Sequence, residues 1–287
     1  MALKEVKKIK RVKSSGKALL RVEDVKMNFD VGDQVIEVLK GITLTINSGD
    51  FAVIFGPSGC GKSTLLHCIL GMEIPSSGKV IIDGTELSAM KEDEIVNFRK
   101  EKVGIVFQQS VWIKSLNVVE NVSFPNILKG MKVEEAEKMA MDDLKEVKLG
   151  DWFNHHPSSL SSGQQQRVSL ARALTLDPLI IVADEPTGNL DTVAGDELIA
   201  LLSKLNKEEG KTIIMVTHDL EYLKVANKLF HMIDGVLVEE FDNAGAIKLS
   251  KGLKSKKGKR VGTTVHDDNY LEDKNKDGVK KTRKSKK

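Results

Sequence analysis

The chain has only two cysteines in 287 residues, Cys60 and Cys68. Their spacing fits neither a disulfide framework nor a zinc-ligand pattern, and we read them as reduced thiols of a cytoplasmic protein. Long apolar runs are also missing. The longest, residues 51–55 and 179–183, fall far short of the roughly 18–20 residues a spanning helix needs, so the chain is not expected to cross a membrane by itself. The amino terminus is basic, but no apolar stretch of about 7–15 residues follows it, so no secretory signal is expected. No internal repeat is found. The hydrophobic fraction of 40% and charged fraction of 30% describe a soluble globular chain with enough apolar material for a sizeable core. Its length fits one large domain or two ordinary ones.

The net charge of +3 conceals an asymmetry. Residues 1–17 carry +6 and residues 248–287 carry +10, which leaves −13 for the body. Both ends are rich in Lys, Ser and Gly and poor in apolar residues. They cannot bury enough surface to offset the entropy of ordering, so the arm 1–17 and the tail 243–287 are expected to be disordered.

The body, residues 18–242, begins with strand patterns. Residues 20–27 alternate with one slip, and residues 35–39 and 42–46 alternate more cleanly. Asn47-Ser48-Gly49-Asp50 is a turn cluster. Residues 51–55 are uniformly apolar, as in a strand covered on both faces of a parallel sheet. A helix is predicted over 63–70, stopped by Gly71, and short strands over 79–82 and 103–107. Residues 132–148 place Val133, Ala136, Ala140, Leu144 and Val147 near one helical face. Further helices are predicted over 164–174 and 192–209, further buried strands over 179–183 and 212–217, a helix capped by Asp219, and a hairpin around Asp234-Gly235. Strands alternating with helices define an α/β fold with a mostly parallel sheet. A helical block is expected as an insertion at about residues 109–170.

Gly56-Pro57-Ser58-Gly59-Cys60-Gly61-Lys62-Ser63-Thr64 fits G-x-x-x-x-G-K-[ST] and stands between a buried strand and a helix. Glycines let backbone N–H groups turn inward onto phosphate oxygens, and the helix N-terminus adds about half a positive charge. Lys62 is placed to bridge β- and γ-phosphates, and the Ser63 hydroxyl is a hard ligand for Mg²⁺. The run Leu179-Ile180-Ile181-Val182-Ala183-Asp184-Glu185 ends a buried strand in two carboxylates. Alternation sends them in different directions. Asp184 is read as the Mg²⁺ partner and Glu185 as the general base for an attacking water, help typically worth ~10²–10⁴-fold.

With Leu160-Ser161-Ser162-Gly163-Gln164-Gln165-Gln166-Arg167, the chain resembles the ATP-binding cassette (ABC) ATPases over about residues 18–242. The stretch is similar to the family signature L-S-G-G-Q, with Ser162 in the first glycine position; a positive φ there would cost affinity. The resemblance implies a P-loop NTPase core of RecA type with an antiparallel β subdomain and an inserted helical subdomain. It implies that Gln108 is the Q-loop glutamine, joining Ser63 and Asp184 around Mg²⁺. It also makes Asp191 part of the D-loop Asn189-Leu190-Asp191, His218 the switch histidine, and Phe29 the adenine-stacking aromatic. Taken singly, Gln108 reads equally as a surface amide, His218 as a cap and Phe29 as a core ring. His155-His156 suggests no metal site, and Trp112 and Trp152 suggest packing or a partner.

Family membership implies that two copies sandwich two ATP. Ser161, Ser162, Gly163 and Gln164 of one copy would meet the P-loop of the other. The stretches 32–42, 120–125 and 183–191 resemble the exporter subfamily of lipoprotein-release, macrolide and antimicrobial-peptide cassettes, with the cell-division cassettes nearby. The implied partner is an integral-membrane permease on a separate chain, docking near Gln108 and residues 111–124, at the cytoplasmic face. The alternative is a cassette that transmits ATP-driven motion to control cell-wall hydrolysis. A role on nucleic acid is disfavoured: there is one cassette, and about a hundred residues, not a long coiled coil, separate Lys62 from Ser161. The basic tail is weighed between no partner, anionic lipid and nucleic acid. Tyr270 is its only aromatic, and lipid is preferred to nucleic acid.

Overall fold

The computed structural model describes residues 16–242. The expectations for the arm up to residue 15 and for the tail 243–287 lie outside the described residues.

Two sheets organise the chain. Strands β1 (Ala18–Val31) and β2 (Gln34–Asn47) form a long antiparallel hairpin. The two strands expected over 35–39 and 42–46 are one strand. Gly41 is the extra residue of a bulge between the Val25–Ile42 and Lys26–Lys40 pairs, which breaks the alternation without ending the ladder. With β4 (Ser77–Ile82) and β5 (Thr85–Glu86) the hairpin makes a four-stranded sheet in the order β2-β1-β4-β5.

The central sheet contains β3 (Phe51–Phe55), β6 (Val103–Val106), β7 (Ile180–Asp184), β8 (Thr212–Thr217), β9 (Lys228–Ile233) and β10 (Val236–Phe241). Its order is β10-β9-β3-β8-β7-β6. All pairs are parallel except β9 with β10, the expected hairpin at Asp234-Gly235.

The uniformly apolar strands are covered on both faces. Phe51, Val53, Phe55, Ile181, Ala183, Ile213 and Met215 enter one core cluster. The alternate residues Ala52, Ile54, Ile180, Val182, Ile214 and Val216 enter the other. The period of two along each strand divides them. The first cluster lies under helices α3 (Val118–Leu128), α4 (Val133–Glu146), α5 (Ser162–Leu174) and α6 (Thr192–Glu209). The second lies between the two sheets and includes Leu65, Leu66 and Ile69 of α1 (Lys62–Ile69). Each fully buried side chain of this size contributes about 1.5–3 kcal/mol.

Helices α3 and α2 (Glu92–Lys102) were not expected from the pattern. In α2 only Ile95 is buried, so there is no apolar stripe. In α3 an interior Pro125 argues against helix, yet Asn117 and Glu120 form a capping box that starts it. Val133, expected on the apolar face of α4, is exposed, while Ala136, Ala140 and Leu144 are buried. Asp219 does cap, accepting from the Glu221 N–H at 2.8 Å, but the turn behind it is a 3₁₀ segment, Leu220–Val225, rather than an α-helix. Trp112 and Trp152 both pack against the first cluster. The fold is the expected α/β arrangement: a mostly parallel sheet, an antiparallel sheet and an inserted helical region.

Candidate functional site

The glycine-rich loop leaves the C-terminal end of β3 and enters α1. Gly56 is required by close approach, because a Cβ there would lie 2.1 Å from the Met232 carbonyl oxygen. Gly59 and Gly61 have φ of +79° and +97°, a left-handed backbone that turns their N–H groups into the loop. Gly61 is the N-cap of α1, and no side chain caps that end, so its first N–H groups are free for an anion. Ser58 and Ser63 are exposed; Pro57 is exposed, Cys60 buried and Thr64 half-buried. Lys62 is only 5% exposed. Its ammonium donates to the carbonyls of Gly56 at 3.0 Å and Pro57 at 2.8 Å. A buried cation held by two neutral carbonyls is poorly compensated and suited to a phosphate. Burial also pushes the Cys60 thiol above its ordinary value, outweighing the nearby Lys62.

The acids stand at the end of β7. Asp184 has one carboxylate oxygen buried without a hydrogen-bond partner. Burial, and then the charge of Glu185, raise its pKa, against the lowering fields of His67 and Lys62. An orphaned carboxylate oxygen in the field of the P-loop lysine, together with the Ser63 hydroxyl, is a hard-oxygen donor set that fits Mg²⁺ completed by nucleotide oxygens. Among the described residues no cluster of three His, Cys, Asp or Glu could hold a metal by protein ligands alone. His67 was not singled out in the sequence. The signal was its place one turn after Ser63, on the same helix face.

Glu185 adopts φ +43°, unusual for a residue with a side chain. Its N–H donates to the Val216 carbonyl at 2.9 Å, and its own carbonyl accepts from Gly188 at 3.0 Å. The Glu185 carboxylate lies 3.1 Å from His218 Nδ1, at the end of β8. Adjacent parallel strands β7 and β8 thus join two residues that are 33 positions apart in sequence. Gln108 lies just past β6, exposed, with its side-chain amide against Gly188; a Cβ at Gly188 would lie 2.9 Å from Gln108 Nε2. Three sequence-predicted residues, Gln108, Glu185 and His218, are therefore gathered at the strand ends. Phe29 lies on the hairpin, paired with Ile36, and its ring is half-buried against the second core cluster, with part of its surface exposed.

The signature stretch opens α5. The Ser161 hydroxyl accepts from the Gln164 N–H at 3.3 Å, and the Gln164 side chain accepts from the Ser161 N–H at 2.9 Å, a capping box. The Ser161 hydroxyl keeps its own O–H to donate. Ser162 does not have positive φ; it is the first helical residue, so the serine there carries no backbone strain. Gly163 is different, since a Cβ would lie 2.7 Å from the Ala194 Cβ at the start of α6. The two glycine positions of the motif thus have unequal requirements. Asp191 is the N-cap of α6, accepting from the Ala194 N–H at 2.8 Å. Ser161, Gly163, Gln164 and Asp191 line one cleft of about 550 Å³, which no P-loop residue shares. The structure therefore separates the signature cleft from the phosphate loop. His155 stacks obliquely on Trp152, and His156 contacts Ser158 and the Lys114 carbonyl, so neither belongs to the site.

A phosphate loop at the end of the central parallel strand β3, with paired acids at the end of β7 and β8 between the two strands, defines a P-loop nucleoside-triphosphatase class of protein. Comparison with known proteins narrows the class. The ABC transporter family matches residues 39–188. The uncharacterized ABC transporter ATP-binding protein MJ0796 of Methanocaldococcus jannaschii is 42% identical over 226 residues, 77% of this chain and 96% of that protein. The macrolide export ATP-binding/permease protein MacB of Brucella melitensis is 41% identical over 226 residues, 79% of this chain but 35% of that protein. A solved dimeric structure of MJ0796, in a post-hydrolysis state bound to ADP and Pi, superposes with a TM-score of 0.74 at 40% identity, covering 78% of this chain and 99% of that one. The chain belongs to the ABC transporter family and is an ATPase cassette of that family.

Proposed function

We propose that two copies of this chain close around two ATP and hydrolyse them to drive a separate integral-membrane permease. The observation that carries this reading is the separation of half-sites: the signature residues line a cleft without any P-loop residue. A chain whose signature residues share no cleft with its own phosphate loop brings the two together through a second copy. The MJ0796 relative, solved as a dimer with ADP and Pi, supports the same arrangement.

In this reading the loop N–H groups of residues 58–64 and the Lys62 ammonium bind the β- and γ-phosphates. Lys62 exchanges its two carbonyl partners for phosphate oxygens, and Phe29 offers the exposed part of its ring to adenine. Ser63, Asp184 and Gln108 would hold Mg²⁺, which supplies charge neutralisation on the phosphates. Glu185 takes a proton from water as the water oxygen bonds to the γ-phosphorus and the bond to the ADP oxygen breaks. His218 holds the Glu185 carboxylate at 3.1 Å, fixing the base in direction and within reach of the γ-phosphate. Ser161 and the Gly163 amide of the second copy would donate to the γ-phosphate, with Ser162, Gln164 and Asp191 shaping that edge. These fixed dipoles act where charge accumulates in the transition state. Loss of the γ-phosphate removes the bridge, so ATP favours the closed dimer only through its higher affinity for that form.

Among the described residues no helix is long and apolar enough to cross a membrane. MacB carries ATP-binding and permease parts in one protein, and the match covers 35% of it. We place the permease on another chain and the cassette at the cytoplasmic face, on an exporter of the macrolide or lipoprotein-release kind. Coexpression with candidate permeases tests this: the expected result is a co-purified complex whose ATPase rate changes with the permease's substrate. ATPase activity indifferent to every permease that copurifies would overturn the transport reading.

A further inference from the structure

Gln166 is 3% exposed and lies one turn inside α5. Its side-chain amide donates to three carbonyls: Phe107 at 2.8 Å, Gln108 at 3.3 Å and Pro186 at 3.1 Å. Its oxygen accepts from the Ser110 hydroxyl at 2.7 Å. A single buried group therefore ties together the segment that follows β6, the residue after Glu185, and the helix that begins with the signature. A primary amide has two donors and one acceptor oxygen on a planar frame. Ionised glutamate cannot donate, and methionine has no donor and only a weak sulfur acceptor.

We propose that Gln166 is a positioning residue for hydrolysis, setting the backbones of Gln108 and Pro186 at a fixed distance from α5. The assignment rests on the ATPase reading above. Gln166 touches no nucleotide; it acts through Gln108 and through the loop that carries Glu185. Glu185 is already held in an uncommon backbone conformation at φ +43°, with Pro186 its immediate neighbour. Loss of the Pro186 contact frees one side of that turn. Loss of the Phe107 and Gln108 contacts frees the other wall of the site. The phosphate loop, by contrast, makes no hydrogen bond to Gln166, so nucleotide affinity is set elsewhere.

The test is steady-state ATP hydrolysis by full-length Gln166→Met and Gln166→Glu proteins, expressed per chain that binds a fluorescent ATP analogue, so that unfolded material is divided out. Wild type and Glu185→Gln are run beside them. The expected result is a kcat about 10- to 100-fold lower with KM for ATP changed less than about threefold, the pattern of misplaced chemistry rather than lost binding. Both variants lose part of the hydrogen-bond set, the methionine all of its donors and the ionised glutamate its donors alone, so both should show the kcat loss. Wild-type kcat in both variants, or a loss confined to KM, would overturn the assignment. Wild-type turnover by Glu185→Gln would instead overturn the reading on which it rests.

Discussion

A methyl group added at Gly163 is a sharp probe of how α5 and α6 frame the signature. In Gly163→Ala the new Cβ would sit 2.7 Å from the Ala194 Cβ, about 1 Å inside an ordinary carbon–carbon contact. Ala194 has no flexible end that can swing away, so the two helix starts must part. Overpacking of this kind costs about 1–3 kcal/mol. The helix propensity of alanine over glycine returns about 1 kcal/mol, so the net loss of stability is expected to be small, about 0–2 kcal/mol. Activity should respond more strongly. If the Gly163 amide meets the γ-phosphate as proposed, a displacement near 1 Å costs on the order of 10²-fold. Ser162→Ala, where φ is not positive, should stay within about threefold of wild type. The double variant Gly163→Ala, Ala194→Gly removes the opposing Cβ and should recover most of the rate, less the cost of a glycine near the start of α6. Phosphate release at saturating ATP measures all three. If Gly163→Ala were fully active, or the double variant no better than the single, crowding against α6 would not be the reason glycine stands there.

Burial of Asp143 gives a pH prediction. Its carboxyl is pushed up to about 6 from an ordinary 3.8, chiefly by burial, and one oxygen lacks a partner. Between those values the folded chain keeps a proton that the unfolded chain has released, so stability falls as pH rises through this window. The penalty at pH 7 is about 1–2 kcal/mol once partial solvation is allowed for. Asp143→Asn should therefore raise the urea midpoint at pH 7.5 and leave it nearly unchanged at pH 4; equal shifts at both would refute the cause. Lys62→Ala should lose ATP binding in a fluorescence titration, and Ser161→Arg should keep it while losing turnover. A mixture of the two should regain activity, because one chain lends its phosphate loop and the other its signature; a mixture that stays inactive at every ratio speaks against one shared site sufficing. For the basic tail we propose attraction to anionic lipid, about 1 kcal/mol per Lys or Arg at the surface. Protein truncated after residue 247 should then lose cosedimentation with anionic vesicles at low salt, and unchanged binding would leave the tail without that role.

The site was more legible than the fold around it. The phosphate loop, Asp184-Glu185 and the signature are local patterns in which each residue has a chemical reason, so they stand out in one dimension. Helix α6 was equally plain, with its apolar spacing and Gly210 at φ +68° closing it. Helices without a local signature were not. Seven of the eleven residues of α2 are charged, and α3 hides its capping box ahead of Pro125. The meeting of Glu185 with His218, and of Gln166 with three loop carbonyls, depends on which strands lie side by side. Sequence spacing does not encode that neighbourhood. At Ser162 the sequence leaves a cost conditional on a positive φ, and the backbone shows none there; the crowded position of the motif is Gly163.

The central claim is a site completed by a second copy, with Glu185 as the base. Size-exclusion chromatography of Glu185→Gln with ATP and Mg²⁺ tests it most directly. With hydrolysis blocked and binding retained, the account predicts a dimer that forms with ATP, carries two nucleotides, and reverts to monomer when ATP is replaced by ADP. A variant that stays monomeric at saturating ATP, or that hydrolyses ATP at the wild-type rate, would contradict it.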